Sequence, residues 1–324
     1  MSTLIHTLKL TRPINLAIVA LTMYVLRIFI IEAQLKATCQ DLHLQISELD
    51  FFLSVLVVVL LTAGGNIIND YFDVKVDKIN KPERVIIGKT VKRRVAMALH
   101  QSFNIAAVAI SFYLCWKYKF WWPLAIPILV ATLLWWYSPI FKKMSFVGNL
   151  VVAICVSIVP IWAAIFELHE QVVLNHLDLF QNGRINGMLL WILTYAGFAF
   201  LISLSREAIK DLEDLQGDKE GEYKTMPIIQ GETFTKHYAS LLMALTVGLT
   251  IFLFYKTGLD WKRDTTASVL LLLCTILPGL VTIIFSSFSR RKKHYTIASA
   301  SAKLTMAGGL ALCILAGTYI WVCS

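Results

Sequence analysis

Hydrophobic positions in this chain come in long runs rather than in the every-second-residue alternation of a half-buried strand. A helix needs about 20 mostly apolar residues to cross the hydrocarbon of a bilayer. Nine segments have that length: 14–31, 51–68, 95–115, 121–141, 147–166, 188–205, 238–255, 268–288 and 298–322. They predict an all-α integral membrane fold, a bundle of nine transmembrane helices forming a single polytopic domain over 1–324. A short amphipathic stretch from Leu4 to Leu10 is expected along the interface, inside a segment 1–13 that precedes the first span. The opening MSTLIHTLKLTRPINLAIVAL lacks a small-residue cleavage site and is read as retained.

The polar positions between the runs give orientation. Of the 30 Lys and Arg, 22 fall in the alternate loops that share a side with the N-terminus. The positive-inside rule then places the N-terminus in the cytoplasm, as expected for a multi-pass protein of the cell inner membrane. The net charge of +9 is read as loops near anionic lipid, not as a nucleic-acid surface. Trp116, Trp121, Trp122, Trp261 and Trp321 all fall at the outer interface, as an aromatic belt would. Composition agrees: 57% of residues are hydrophobic and 16% charged, against about 25% charged in soluble domains. Cys39, Cys115, Cys155, Cys274, Cys313 and Cys323 form no CxxC pair and read as small hydrophobes.

Candidate chemistry lies at span ends. Asp70, Asp73 and Asp77 in NDYFDVKVD, and Asp211, Asp214 and Asp218 in KDLEDLQGD, both read DxxDxxxD, each acid 141 positions from its counterpart. They follow the second and sixth spans, so both emerge on the same side. This predicts two four-helix repeats in parallel orientation plus a ninth helix. Offsets of 0, 3 and 7 keep three side chains within an arc of about 60° on a helix; Asn66 and Glu207 extend the same faces. Crowded carboxylates call for bridging cations, and Mg²⁺ typically takes one or two carboxylates together with substrate phosphates. The expected active-site loops are 69–94 and 206–237.

Basic residues interleave with the acids: Lys78, Lys81 and Arg84 after the first triplet, Arg206 and Lys210 beside the second, and Lys142 and Lys143 in YSPIFKKM. A diphosphate needs such counter-charges beyond a metal. Arg84 and Lys142 stand out because they follow Pro82 and Pro139 in turn-like sequence.

These motifs resemble the two aspartate-rich motifs of the UbiA superfamily of membrane prenyltransferases. NDYFDVKVD with INKPER matches the first, KDLEDLQGD with a downstream KT the second; TRPIN is similar to the family's early Arg-Pro, and YSPIFKK with Gly148-Asn149 to its loop after the fourth span. The resemblance implies that the motifs bind Mg²⁺ and the diphosphate of a polyprenyl diphosphate donor. Carried over, Asn69, Asp73 and Asp77 are the first motif's ligand positions and Asp214 and Asp218 the second's, with Asp70 and Asp211 as accompanying acids, and all seven are candidate metal ligands. Asp73, Asp77, Asp214 and Asp218 are the candidate catalytic acids, and Asn69, Arg84, Lys142, Tyr137 and Lys210 the candidate diphosphate contacts. Val85 departs from the proline that many members have there. The KDLEDLQGD form favours a geranylgeranylglyceryl phosphate-like lipophilic acceptor, with an aromatic acid or quinone precursor such as 4-hydroxybenzoate or homogentisate as the alternative.

Other signals carry less. His169 and His176 are expected to be solvated in an external loop, and Gly64-Gly65 either to permit close helix approach near the site or simply to pack. GxxxxGK[ST] and GxSxG are absent. An ion-coupled transporter built on the same repeat would want its acids near mid-span, where this chain does not put them. Some of the scattered aromatics are expected to line a wall that stabilises a carbocation.

Overall fold

The computed structural model describes residues 2–38, 42–80, 82–175, 183–256, 264–288 and 291–322. Among them the chain is helical, with two isolated bridge pairs, Ile87–Val91 and Met144–Lys224, in place of strands. In chain order the helices are α1 (Ser2–Leu10), α2 (Pro13–Leu26), α3 (Ala33–Thr38), α4 (Glu48–Asn80), α5 (Arg93–Lys117), α6 (Ala125–Tyr137), α7 (Val147–Leu174), α8 (Gly183–Glu213), α9 (Leu215–Glu220), α10 (Met226–Ile229), α11 (Glu232–Lys256), α12 (Thr265–Leu271), α13 (Leu277–Ser287) and α14 (Lys292–Val322). Two short π-helical segments, Arg27–Glu32 and Leu272–Ile276, join α2 to α3 and α12 to α13, so each pair is one continuous rod.

Eight of the resulting rods are long and apolar enough to cross a membrane. The chain is a multi-pass integral membrane protein. The segment expected as the fourth span is a shorter apolar helix, Trp122–Tyr137, opening on a 3₁₀ turn. Its 16 residues rise about 24 Å, short of a hydrocarbon core of about 30 Å. Pro123 at its start and Pro139 just past its end restrict it to that length. A second difference concerns His169. It lies inside α7, not in a loop, because ELHEQVVL offers no Gly or Pro to stop the helix; its side chain is 22% exposed and 3.9 Å from Glu170. His176 and Trp261 lie outside the described residues, as do Lys81, Cys39 and Cys323. Trp116, Trp121 and Trp122 are exposed. Cys115, Cys155, Cys274 and Cys313 form no disulfide.

The helices gather into two compact units. The first comprises Met1–Met23, Ile46–Val151 and Leu215–Thr225, and its centre is α4 packed on α5 and α6. Ser47 and Asp50 cap the start of α4 reciprocally: the Asp50 amide donates to Ser47 Oγ (3.2 Å) and that hydroxyl donates to Asp50 Oδ2 (2.6 Å). Asp50 is fully buried, and Lys117 (2.6 Å) and Tyr118 (2.7 Å) from the end of α5 also donate to it. Gly64 and Gly65 do permit close approach. A Cβ on Gly64 would sit 3.1 Å from Asn104 Oδ1, and one on Gly65 would sit 2.9 Å from the Leu134 side chain. At the other end Leu10, Ile67, Ile87, Val91 and Ala96 form an apolar cluster under the turn after α4.

The second unit comprises Tyr24–Gln45, Val152–Asp214 and Met226–Ser324. The unit boundary cuts the first span and assigns 215–225 to the first unit. Small residues on α14 let backbones approach, as in membrane helix pairs generally. A Cβ on Gly308 would stand 1.8 Å from the Cys274 carbonyl oxygen, and one on Gly317 would stand 2.3 Å from that of Phe29. Each glycine therefore abuts one of the two π segments. Hydroxyls add cross-helix bonds: Ser205 Oγ donates to the Ala239 carbonyl (2.8 Å) and Ser301 Oγ to that of Pro278 (2.7 Å).

Gly308→Ala should cost about 1–3 kcal/mol through overpacking against a backbone atom that cannot swing away. Gly309→Ala, with nothing within 4 Å, should be neutral or slightly stabilising. Thermal unfolding of the two purified variants in detergent separates them; equal melting temperatures would contradict the packing described for α14.

Candidate active site

The 33 residues of α4 rise about 50 Å, so a helix that crosses the bilayer has turns to spare at its end. The sequence places NDYFDVKVDKIN in those turns. Asn69, Asp73 and Asp77, at i, i+4 and i+8, share one face there. The face is not left to water, for Asp73 is only 2% exposed.

What covers Asp73 is the loop after α6. Ser138 and Pro139 end that helix, a 3₁₀ turn over Phe141–Lys143 follows, and Lys142 Nζ donates to Asp73 Oδ2. The other carboxylate oxygen, Oδ1, is buried and accepts no hydrogen bond from the described residues. Gly148, in the first turn of α7, holds this loop close: a Cβ there would lie 2.9 Å from the Phe141 carbonyl oxygen and 3.1 Å from Lys142 Cα. Burial works against the Lys142 charge, but Asp73, Tyr137 and Asp218 act the other way and hold its pKa well above the usual lysine value. Tyr137 and Asp218 thus join the same electrostatic neighbourhood. Ser138 Oγ lies 3.5 Å from Asn69 Oδ1, too long for a strong hydrogen bond.

The second triplet is divided between the units. Asp211 lies in the last turn of α8, Asp214 at the bend between α8 and α9, and both belong to the second unit; Asp218, in α9, belongs to the first. Beside the former two, Lys210 pairs with Glu207 (3.0 Å), which also takes Arg206 (2.8 Å). α9 is fixed to the end of α4 through Gly217. Its amide donates to Asn80 Oδ1 (3.1 Å), and a Cβ on it would meet that amide group at 2.4 Å.

The chain after α9 closes the group. Tyr223 donates its amide to the Asp218 carbonyl (2.9 Å), and the Lys224 amide to that of Lys143 (3.0 Å), a bridge that ties EYKT to FKKM. Tyr223 is buried, and Lys143 Nζ stands 5.5 Å from its ring centroid. Burial, with Asp73, Asp218 and Asp77 nearby, pushes the Tyr223 hydroxyl up to about 12, although Lys142 counteracts. It remains a neutral hydrogen-bond donor.

Asp70 has a separate engagement. Arg12 Nη2 donates to its Oδ1 (2.6 Å), and Asn66 Nδ2 donates to the Thr11 carbonyl (3.0 Å). Arg12, just before Pro13, has a positive φ of 56°. Burial opposes the Arg12 charge, whereas Asp70 first, then Asp77 and Asp73, raise its pKa. Arg84 closes a 3₁₀ turn, Pro82–Arg84; its side chain lies outside the described residues. Of the sequence-selected residues, Asp73, Asp77, Asp218, Lys142 and Tyr137 come together. The pairing of Asp70 with Arg12, the Glu207 clamp on Lys210 and the burial of Tyr223 were not expected from sequence. Only the early Arg-Pro and an aromatic five residues after Asp218 hinted at them.

Among the described residues, no three His, Cys, Asp or Glu side chains converge closely enough to hold a metal by themselves. The donor set is nonetheless suited to Mg²⁺. It is all oxygen, includes one buried carboxylate oxygen with no hydrogen-bond donor, and lies beside a lysine able to meet phosphate. Mg²⁺ commonly completes its shell with water and phosphate oxygens, so a site of few protein ligands fits it.

The sequence pattern of the UbiA prenyltransferase family matches residues 42–304. Among curated relatives, the digeranylgeranylglyceryl phosphate synthase of Thermococcus kodakarensis is 34% identical over 204 residues, covering 63% of this chain and 65% of that protein. The enzyme of the same name from Pyrococcus abyssi is 30% identical over 250 residues, covering 76% and 79%. The chain thus spans a little under two thirds of the Thermococcus relative's length. Two solved structures share the fold. One comes from work on digeranylgeranylglyceryl phosphate synthase in membranes (TM-score 0.66, 22% identity, 98% of this chain and 99% of that one). The other is a UbiA homologue from Archaeoglobus fulgidus bound to GPP and Mg²⁺ (TM-score 0.53, 16% identity, 95% and 99%).

Gly217→Ala should lower stability by about 1–2 kcal/mol by driving the Asn80 amide off the Gly217 N–H. Adding Asn80→Ala should cost less in that background than in the wild type, because the hydrogen bond is already lost there and the second substitution removes the clash. A double-mutant cycle of melting temperatures in detergent measures this; strictly additive losses would refute the contact.

Proposed function

The chain belongs to the UbiA prenyltransferase family, and from that premise we propose that it transfers a polyprenyl group from an allylic prenyl diphosphate to a lipophilic acceptor of the geranylgeranylglyceryl phosphate type, with Mg²⁺ as cofactor. The observation that carries this reading is the grouping of buried Asp73 and Asp218 with half-buried Asp77 and Lys142, an arrangement of hard oxygen ligands and one cation suited to a metal-bound diphosphate. The acceptor is supported by the names of the relatives and by the KDLEDLQGD form; the metal and donor class are supported by the GPP and Mg²⁺ in the Archaeoglobus homologue.

Residue roles follow from chemistry. Asn69, Asp73, Asp77, Asp214 and Asp218 would hold Mg²⁺ against the diphosphate, with Asp70 and Asp211 adding negative potential; Asp70 does so while pairing with Arg12. Bound Mg²⁺ would supply positive charge against the departing diphosphate. Lys142 and Arg84 would donate to diphosphate oxygens, interactions that strengthen as the C1–O bond ionises and negative charge builds on the leaving group. Tyr137 and neutral Tyr223 border that position, and Lys210, on its Glu207 partner, is assigned to the diphosphate as well. The apolar spans would shield the allylic cation from water until the acceptor hydroxyl attacks it, losing its proton as the new ether bond forms.

Orientation belongs to the same proposal: N-terminus and active site at the cytoplasmic face of the cell inner membrane, supported by the 22-to-8 division of Lys and Arg, which counts the short helix Trp122–Tyr137 as a crossing with the bilayer thinned around it. In a cysteine-depleted background, single cysteines at Lys219 and Asn175 should be labelled by an impermeant reagent from opposite faces. Labelling of both from one side would refute the topology.

With a labelled prenyl diphosphate donor, EDTA should abolish transfer and Mg²⁺ restore it. Asp73→Ala and Asp218→Ala should each lower kcat by about 10²–10³-fold or more with folding intact. Offered a glyceryl phosphate ether alcohol, 4-hydroxybenzoate and homogentisate, the enzyme should prenylate the first; preferential prenylation of an aromatic acceptor would reverse the acceptor assignment.

A further inference from the structure

Lys142 stands where a metal would be needed. Its ammonium is paired to Asp73 Oδ2, on a carboxylate 2% exposed, while its own side chain is 25% exposed. A divalent ion arriving alone at Asp73 must displace this ammonium from its ion-pair partner and would set a second positive charge beside it, with Tyr137 and Asp218 as its remaining neighbours. A buried pair resists such an exchange, because separating it leaves a desolvated charge uncompensated. A metal that arrives with a diphosphate brings the replacement partner, and the ammonium can pass from carboxylate to phosphate oxygen.

We propose that Lys142 is the resident counter-ion of the site, which keeps Asp73 from taking a free divalent cation and transfers to the donor's diphosphate when metal and diphosphate bind together. This deepens the prenyl-diphosphate reading and rests on it. Three features support it independently of activity. Asp73 Oδ1 is buried without a hydrogen-bond donor, so one ligand oxygen is in place before the exchange. No preformed three-ligand group exists among the described residues, so the site is not built to capture metal unaided. Gly148 and the Met144–Lys224 bridge fix the backbone on both sides of Lys142, so the exchange needs only the lysine side chain to turn. Metal and diphosphate then favour each other's binding, by the same factor in either direction.

Mn²⁺ as probe and inorganic pyrophosphate as diphosphate test this on the full-length detergent-purified protein. Bound Mn²⁺ is read by electron paramagnetic resonance and corrected for Mn²⁺–pyrophosphate chelation in solution. Wild-type protein should bind Mn²⁺ weakly alone and at least about tenfold more tightly with pyrophosphate. Lys142→Met and Lys142→Gln should bind Mn²⁺ alone about tenfold more tightly than wild type and lose most of the coupling. Lys75→Met removes the same charge from an exposed position on α4 and should shift Mn²⁺ affinity less than about twofold. Unchanged or weaker Mn²⁺ binding in both Lys142 variants, or an equal gain in Lys75→Met, overturns the exchange while leaving the metal site standing. Wild-type Mn²⁺ affinity that pyrophosphate does not raise overturns it without recourse to any variant. No Mn²⁺ binding under any condition would instead remove the metal reading on which the proposal rests.

Discussion

A carboxylate withdrawn from water as far as Asp73 needs a counter-charge beside it, and much of the first unit is arranged to keep Lys142 there. Removing either partner of such a pair costs about 3–5 kcal/mol, since the survivor is a buried, uncompensated charge. Pro139 stops α6 so that the chain can turn; Gly148 lets the first turn of α7 back the lysine loop; the Lys224–Lys143 bond holds that loop from the other side. Asn80 and Gly217 bring Asp218 into range. None of these contacts touches the carboxylate, yet each limits where the ammonium can be.

The second unit follows a different rule. Lipid is as apolar as leucine, so burying leucine gives helices little reason to associate, and backbone proximity and hydroxyl bonds matter more. α14 reads accordingly, with Ala298, Ser301, Ala302, Thr305, Gly308, Ala316 and Gly317 among its inward positions. The contrast with the first unit, where charges bury one another, reflects the work each part has. One holds a polar cluster of paired charges; the other supplies close-packed helices.

Most of the fold was legible because a bilayer leaves the backbone few choices, and long apolar runs become helices under that constraint. Legibility failed where local sequence competes with it. Trp122–Tyr137 has the composition of a span, but the prolines at each end shorten it. α7 runs on through His169 because no breaker follows the apolar run. In the site, equal spacing suggested that the two triplets would behave alike, and spacing along one helix can reveal only shared faces. It could not show that Asp70 would be claimed by Arg12, 58 positions away, or that Asp218 would belong with Asp73 through Gly217 and Asn80. Tyr223 went unnoticed because an aromatic in a charged loop has no periodicity to mark it.

The π segment at Leu272–Ile276 has a consequence for how this chain can vary in length. A π turn accommodates one residue more than the α turn it replaces, while the helix on either side keeps its own hydrogen bonds. Elsewhere in a span, losing a residue rotates everything beyond it by about 100° and turns an inward face toward lipid. Here the loss would be absorbed by relaxation of the π turn to α, leaving α12 and α13 in their original facings. The bulge held by Gly308 is therefore a one-residue slack in an otherwise length-intolerant rod, the point at which this span can lose an amino acid and still present the same surface to its neighbours.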